Sequence, residues 1–158
     1  MSQSFISLNF LPKGKFRVDL VEGVTKTNFF SICYGALTTI GLLTFISYAT
    51  TYVLIENLSY QRNQIGTIVG DLQVVAEIAL LIIFLPVGLI ADKIGRRQVY
   101  SFGMFAMGLS YFLYPLATGI GELTIYRIIY AIGMGAATGM LGTVTADYPQ
   151  NHTRGKMI

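Results

Sequence analysis

The sequence predicts an all-α membrane protein with four transmembrane helices, and three observations carry that prediction. Charged residues are 12% of the 158 and the mean hydropathy is +0.60, whereas an ordinary soluble domain carries about 25% charged residues. Long apolar runs recur four times along the chain. Between the second and third lies the ten-residue turn from Gly88 to Arg97, in which Asp92, Lys93, Arg96 and Arg97 are ionised. Each such group at a bilayer centre would cost about 2.5–3.5 kcal/mol on insertion scales, so the turn belongs at the membrane surface and its flanks span.

Other classes are disfavoured by the same composition. The net charge of +3 comes from Lys and Arg scattered over separate loops, with no basic stripe of the kind nucleic acid requires. Cys33 is the sole cysteine, which excludes a disulfide framework and a cysteine-based metal site. The first apolar run begins only near Phe29 and no small-residue cleavage site follows a short apolar core, so a cleaved signal peptide is not indicated.

Residues 1–27 read as a loop-like cytoplasmic tail, with Pro12-Lys-Gly14 as a breaker. Disorder is the simpler expectation; an amphipathic helix lying on the membrane surface is the alternative. Residues 28–55 hold no acid or base, and at ~1.5 Å rise per residue they exceed the ~30 Å hydrocarbon core. This first span carries Thr38, Thr39, Thr44, Thr50, Thr51 and Ser47 with Tyr34, Tyr48 and Tyr52. Such groups either bond to their own or neighbouring helices or line a wet cavity. The short loop 56–64 contains Arg62 and a formal glycosylation acceptor at Asn57, discounted because it sits so close to the membrane.

The second span, about 65–91, contains two acids, Asp71 and Glu77. Glu77 lies near the midplane and shares a helix face with Gln73, four residues earlier, while Asp71 points elsewhere nearer the outer surface. Pro86 removes one helical hydrogen bond and should kink the helix. Residues 98–121 form an uncharged third span with Pro115 near its outer end, and 123–146 a fourth. The fourth holds Arg127 about one turn inside the outer surface, then Gly133, Gly135, Gly139 and Gly142. Small residues let helices approach where lipid supplies no hydrophobic drive. The segment 147–158 is a polar surface loop with a lone His152, to which no metal or catalytic role attaches.

Nine of the eleven Lys and Arg fall in the tail, the Gly88–Arg97 turn and the final loop, all on one side of the membrane. The positive-inside bias makes that side cytoplasmic, with both chain ends there.

The pattern Gly88-x-x-x-Asp92-Lys93-x-Gly95-Arg96-Arg97 resembles the loop between the second and third helices of the major facilitator superfamily. Arg127 followed by Ala131, Gly133 and Gly135 is similar to that family's fourth-helix pattern, with Ala131 where glycine is usual. Asp147, then Arg154-Gly155, is similar to the loop after the fourth helix, although Pro149 sits one place early for the sugar-porter form. The resemblance covers about residues 28–158 and implies part of a six-helix amino-terminal bundle, within a twelve-helix transporter whose cavity lies between two halves. On that view the chain ends where a fifth helix should begin, as a fragment of a longer transporter or a truncated product.

The resemblance gives Gly88, Asp92, Lys93, Gly95, Arg96 and Arg97 a gating role in which a charge-assisted latch forms and breaks; cations that only anchor topology are the plainer reading. Gly88 is expected to allow close helix approach, Gly95 to adopt a conformation closed to other residues, and Asp92 to accept from a helix amino terminus. Asp147 and Arg154 could join the latch as a cytoplasmic charge network. Asp71, Gln73, Glu77 and Arg127 are the coupling or substrate candidates. Arg127 must pair or face water, with Asp71 a plausible ion-pair partner and snorkelling the alternative. Burial of Glu77 suits a proton carrier, but a protonated acid bonded to Gln73 would be a structural solution. Gly133, Gly135 and Gly139 read as helix packing; they follow no strand and lack a dinucleotide-loop spacing.

These readings converge on a secondary-active transporter of a small solute in a plasma or inner membrane, working by alternating access with protons as a candidate coupling ion. Its expected partners are the lipid bilayer, the remaining helices and an unknown small-molecule substrate. No nucleic acid, metal or cofactor is expected. No nucleophile, base and orienting group can be assembled, so an enzyme is not expected. The alternative is a non-transporting four-helix protein that assembles with a partner through its glycine-rich helices.

Overall fold

The computed structural model describes residues 7–9, 17–19 and 25–147. Two short strands, β1 (Ser7–Asn9) and β2 (Arg17–Asp19), pair antiparallel with Leu8 opposite Val18. The tail thus departs from the expected loop: each strand is a polar–apolar–polar triplet, the alternation a pleated ribbon requires. Everything else of regular structure is helical: α1 (Lys26–Tyr52), α2 (Arg62–Ile94), α3 (Arg96–Leu113) and α4 (Ile120–Asp147). A π-helical turn, Val53–Asn57, extends α1, and a 3-10 turn, Tyr114–Leu116, closes α3. All four helices are long and apolar enough to cross a membrane.

Local chemistry sets where these helices begin. The Thr25 hydroxyl accepts from the backbone N–H of Asn28 at 3.3 Å, capping α1. At α4 the Glu122 carboxylate accepts from the backbone N–H of Thr118 at 2.8 Å and from its hydroxyl at 3.1 Å. An acid in a first turn also complements the helix dipole. α2 runs through Pro86 as one helix and past both limits of its apolar run, because the main-chain ladder does not stop at the edge of the hydrocarbon. Asp92 and Lys93 therefore sit in its last turn and Arg96 and Arg97 open α3, with Gly95 alone between the two helices.

The chain divides into two compact units. The unit Met1–Leu37 with Leu141–Ile158 contains the strand pair and the first turns of α1, where Phe29 is buried and meets Phe30 edge-on at 5.9 Å.

The unit Thr38–Met140 holds the packed core, and its contacts fix how the helices alternate. Thr39 meets Tyr100 and Thr50 meets Tyr114, so α1 and α3 run in the same direction. Gln73 meets Arg127, while Leu80 and Phe84 lie against Gly135 and Gly139, so α2 and α4 run together. α3 and α4 are antiparallel: Gly103 faces Gly133 and Ser110 bonds the Tyr126 carbonyl at 2.7 Å.

The main core gathers Ile46, Leu72, Met107, Tyr114, Leu123 and Tyr130. A smaller cluster near the turn joins Val87, Ala91, Val99, Ala136 and Met140. α4 is the innermost helix, buried without a break from Gly135 to Ala137. α1 and α2 turn most of their apolar surface outward, with Tyr48, Tyr52, Leu81 and Leu85 all exposed, as helices facing lipid or further protein do.

The hydroxyls of the first span resolve largely as packing. Thr44 and Thr51 donate to carbonyls four residues back, and Thr39 approaches the Tyr100 hydroxyl at 3.1 Å. Thr50 donates to the Ile46 carbonyl at 2.7 Å, and Tyr111 donates to the Leu42 carbonyl. Such bonds hide polar atoms from hydrocarbon.

Candidate functional site

One arginine on α4 organises the polar interior. Arg127 is 3% exposed, and a guanidinium keeps its charge, so burial demands acceptors. Arg127 Nη2 donates to Gln73 Oε1, and Gln73 Nε2 donates to Glu77 Oε1 at 2.8 Å. Arg127 Nη1 reaches Thr50 Oγ1 at 3.5 Å, the limit of a hydrogen bond. The guanidinium carbon lies 5.4 Å from the centre of the Tyr130 ring, within cation–π range. Arg127 Nε and the Tyr130 hydroxyl are buried and have no partner among the described residues.

Helical spacing builds this chain. Gln73 and Glu77 share a face of α2 because they are four apart, and the parallel run of α2 beside α4 sets that face against Arg127. Asp71 is exposed and is not the partner of Arg127: two residues from Gln73, it projects from another side of α2. Snorkelling is likewise excluded for Arg127, whose head group is held inside the bundle. Glu77 is exposed on this chain, near the middle of a 33-residue helix. A carboxylate at that depth faces water or protein rather than lipid.

The turn between α2 and α3 has a different character. Gly95 has φ +99° and ψ 140°, a backbone conformation that side chains resist, as its sequence position suggests. Asp92, Lys93 and Arg97 are exposed and Arg96 is partly so. Lys93, in the last turn of α2, complements the helix dipole there. α3 begins with no side-chain cap, so Asp92 does not serve that amino terminus. A Cβ placed on Gly88 meets nothing within 4 Å, so no described helix presses on it.

The α4 glycines divide by position. A Cβ at Gly133 would fall 2.7 Å from both the Gly103 carbonyl oxygen and the Met107 nitrogen, which backbone cannot yield. At Gly135 it would meet Leu80 Cδ1 at 2.9 Å, and at Gly139 only ordinary contact with Phe84 at 3.7 Å. Gly133 and Gly135 are therefore occupied within the chain and are not open to a partner. Sequence reasoning missed the matching surface on α3: Gly103, Ala106 and Ser110, all buried, are small residues at helical spacing. It also missed Tyr111, Tyr114 and Tyr130, for which aromatic content alone gave no signal. Arg154 lies outside the described residues, as does the side chain of Asp147.

Four apolar spanning helices with a buried cation and a facing acid define an integral membrane protein of the polytopic helical class. Residues 32–158 match the sequence profile of the Major Facilitator Superfamily, and the chain belongs to that family. It is 28% identical over 110 residues to the magnetosome protein MamH of Paramagnetospirillum magneticum, covering 65% of this chain and 25% of that protein. It is 24% identical over 113 residues to a probable inorganic phosphate transporter 1-9 of Arabidopsis thaliana, covering 66% of this chain and 21% of that one. The match spans about a quarter of the length of these curated relatives. No solved structure matches.

Proposed function

We propose that this chain is part of a secondary-active transporter that carries a small solute across a plasma or inner membrane by alternating access, with Glu77 as its proton-coupling site. One observation carries the reading: an acid at mid-span, exposed on the chain, is linked through Gln73 to a buried arginine. An acid in a membrane span is expensive and marks a pathway for ions or substrate. Membership of the family supports transport without chemical alteration of the solute. The exposed charges at the α2–α3 turn then serve as the gating loop on the cytoplasmic side, where the positive-inside bias also places the chain ends.

The test is uptake into liposomes bearing the reconstituted full-length protein under an imposed pH gradient, in the native form and as Glu77→Gln. Inorganic phosphate is the first solute to try, because one relative is named for it, followed by small organic acids and sugars. Gradient-driven uptake that is abolished in Glu77→Gln supports the proposal. Uptake that keeps its full pH dependence in that variant removes Glu77 as the coupling site.

A further inference from the structure

We infer that Gln73 is a positioning residue through which the protonation state of Glu77 sets how firmly Arg127 is held; this rests on the transport reading just given. The direction of the amide carries the inference. A guanidinium only donates, so Gln73 must turn Oε1 toward Arg127. That leaves Nε2, which also only donates, aimed at Glu77 Oε1 at 2.8 Å. The charge on Arg127 thus fixes which end of the amide meets Glu77, so the two charged groups are bridged by an amide rather than paired directly.

Arg127 has little else to hold it. Its Nη1 contact with Thr50 is long at 3.5 Å and its Nε has no partner among the described residues. The other charged or titratable groups of the surroundings supply no counter-charge. α4 contributes Tyr130, and α3 contributes Tyr111, stacked edge-on against Tyr130 at 6.0 Å, and Tyr114, bonded by Thr50. α1 contributes Thr50, which does not titrate in the working range, and Asp71 projects from another side of α2. Glu77 is the acid that the hydrogen-bond chain connects to the guanidinium.

When hydronium from water protonates the Glu77 carboxylate, one hydronium O–H bond breaks as the carboxyl O–H forms, water leaves, and the carboxyl group loses its charge and gains an O–H donor. Two consequences follow, and both weaken the hold on Arg127. The bond from Gln73 Nε2 is no longer charge-assisted, and such bonds are roughly twice as strong as neutral ones. The new O–H also seeks an acceptor, and where it finds Oε1 of Gln73 it shares that oxygen with Arg127, which lengthens and weakens the existing bond. Protonation therefore loosens a buried cation through an intermediary that never ionises, and a loosened guanidinium is free to meet an anionic group.

Nuclear magnetic resonance of the full-length protein in lipid bilayers tests this, with ¹⁵N-labelled arginine and ¹³C-labelled glutamate carboxyls read across a pH titration. The Glu77 and Arg127 signals are assigned by their loss in Glu77→Gln and Arg127→Lys. The expected result is an Arg127 side-chain shift with the same midpoint as the Glu77 carboxyl, and loss of that shift in Gln73→Met while Glu77 still titrates. Gln73→Ala, which removes the bridge without adding bulk or charge, serves if Gln73→Met fails to fold, and it too should uncouple Arg127 from the Glu77 midpoint. An Arg127 signal that ignores the Glu77 titration in the native protein overturns the inference and leaves the transport reading intact. An Arg127 shift that persists unchanged in the Gln73 variants also overturns it, since the two charges then communicate through space. A Glu77 that does not titrate overturns both this inference and its role in coupling.

Discussion

The middle of α4 and the turn between α2 and α3 are built from the same residue types, arginine and glycine, and the fold uses them in opposite ways. On α4, Arg127 is buried and bonded to Gln73, and Gly133 lies where any side chain would strike the backbone of α3. At the turn, Arg97 is exposed, a Cβ on Gly88 would meet nothing within 4 Å, and Gly95 is needed for its backbone angle rather than for space. The difference is one of surroundings. Charge out of water must be satisfied by named partners, whereas charge at the interface is solvated and contributes through its sign and position. A glycine is required either by a neighbour or by its own φ, and the two regions supply one example of each.

Substitutions that cross between the regions can break this contrast. Arg127→Leu should have the largest effect on transport, abolishing gradient-driven uptake, and it should lower the thermal midpoint in detergent, since a part-buried hydrogen bond from a charged group is lost, worth about 1.5–3 kcal/mol. A variant with native uptake would show that the buried cation is only structural. Gly133→Leu should have the largest effect on stability, at or beyond the top of the ~1–3 kcal/mol typical of overpacking; an unchanged melting midpoint would mean that α3 and α4 part easily. Gly95→Ala should cost about 1–3 kcal/mol through backbone strain alone, with Gly88→Ala as its control, expected to leave the midpoint unchanged or slightly raised. Arg97→Gln should be the mildest, within about 0.5 kcal/mol of native stability, and, on the gating proposal, its effect should be read instead in the inward/outward balance, by spin-label distances across the end of the bundle that carries this turn. A marked loss of stability there would place that arginine in a fixed contact and erase the contrast.

The four spans were legible because the hydrocarbon imposes a length and an absence of charge that a single sequence displays. Gly95 was legible for a related reason: a glycine between two charged pairs at a surface turn has few other uses. The Gln73–Glu77 pairing followed from helical spacing, which is local. The partner of Arg127 did not, because choosing Gln73 over Asp71 needs the rotation of α2 about its axis, and no property of either helix alone fixes that. The same limit hid Gly103: the small surface of α3 is visible in the sequence, but its meeting with Gly133 depends on how two helices are registered. Helix ends were misplaced wherever helix continued past the apolar run, as at Asp92 and Lys93. The paired strands of the tail, three residues each, were too short to raise an alternating pattern above its background.

The single-residue break at Gly95 ties the rotation of α3 to the chain length at this corner. With 3.6 residues per turn, one added or deleted residue would rotate α3 by about 100° relative to α2. Gly103 would leave Gly133, Ser110 would leave the Tyr126 carbonyl, and Tyr111 would swing off Leu42, so one slip would cancel three contacts at once. Insertions should therefore be rejected at this corner and accepted at Ala117–Gly119, where irregular backbone can absorb them. The turn between α2 and α3 thus acts as an indexing joint, holding the angular phase of one helix against the rest.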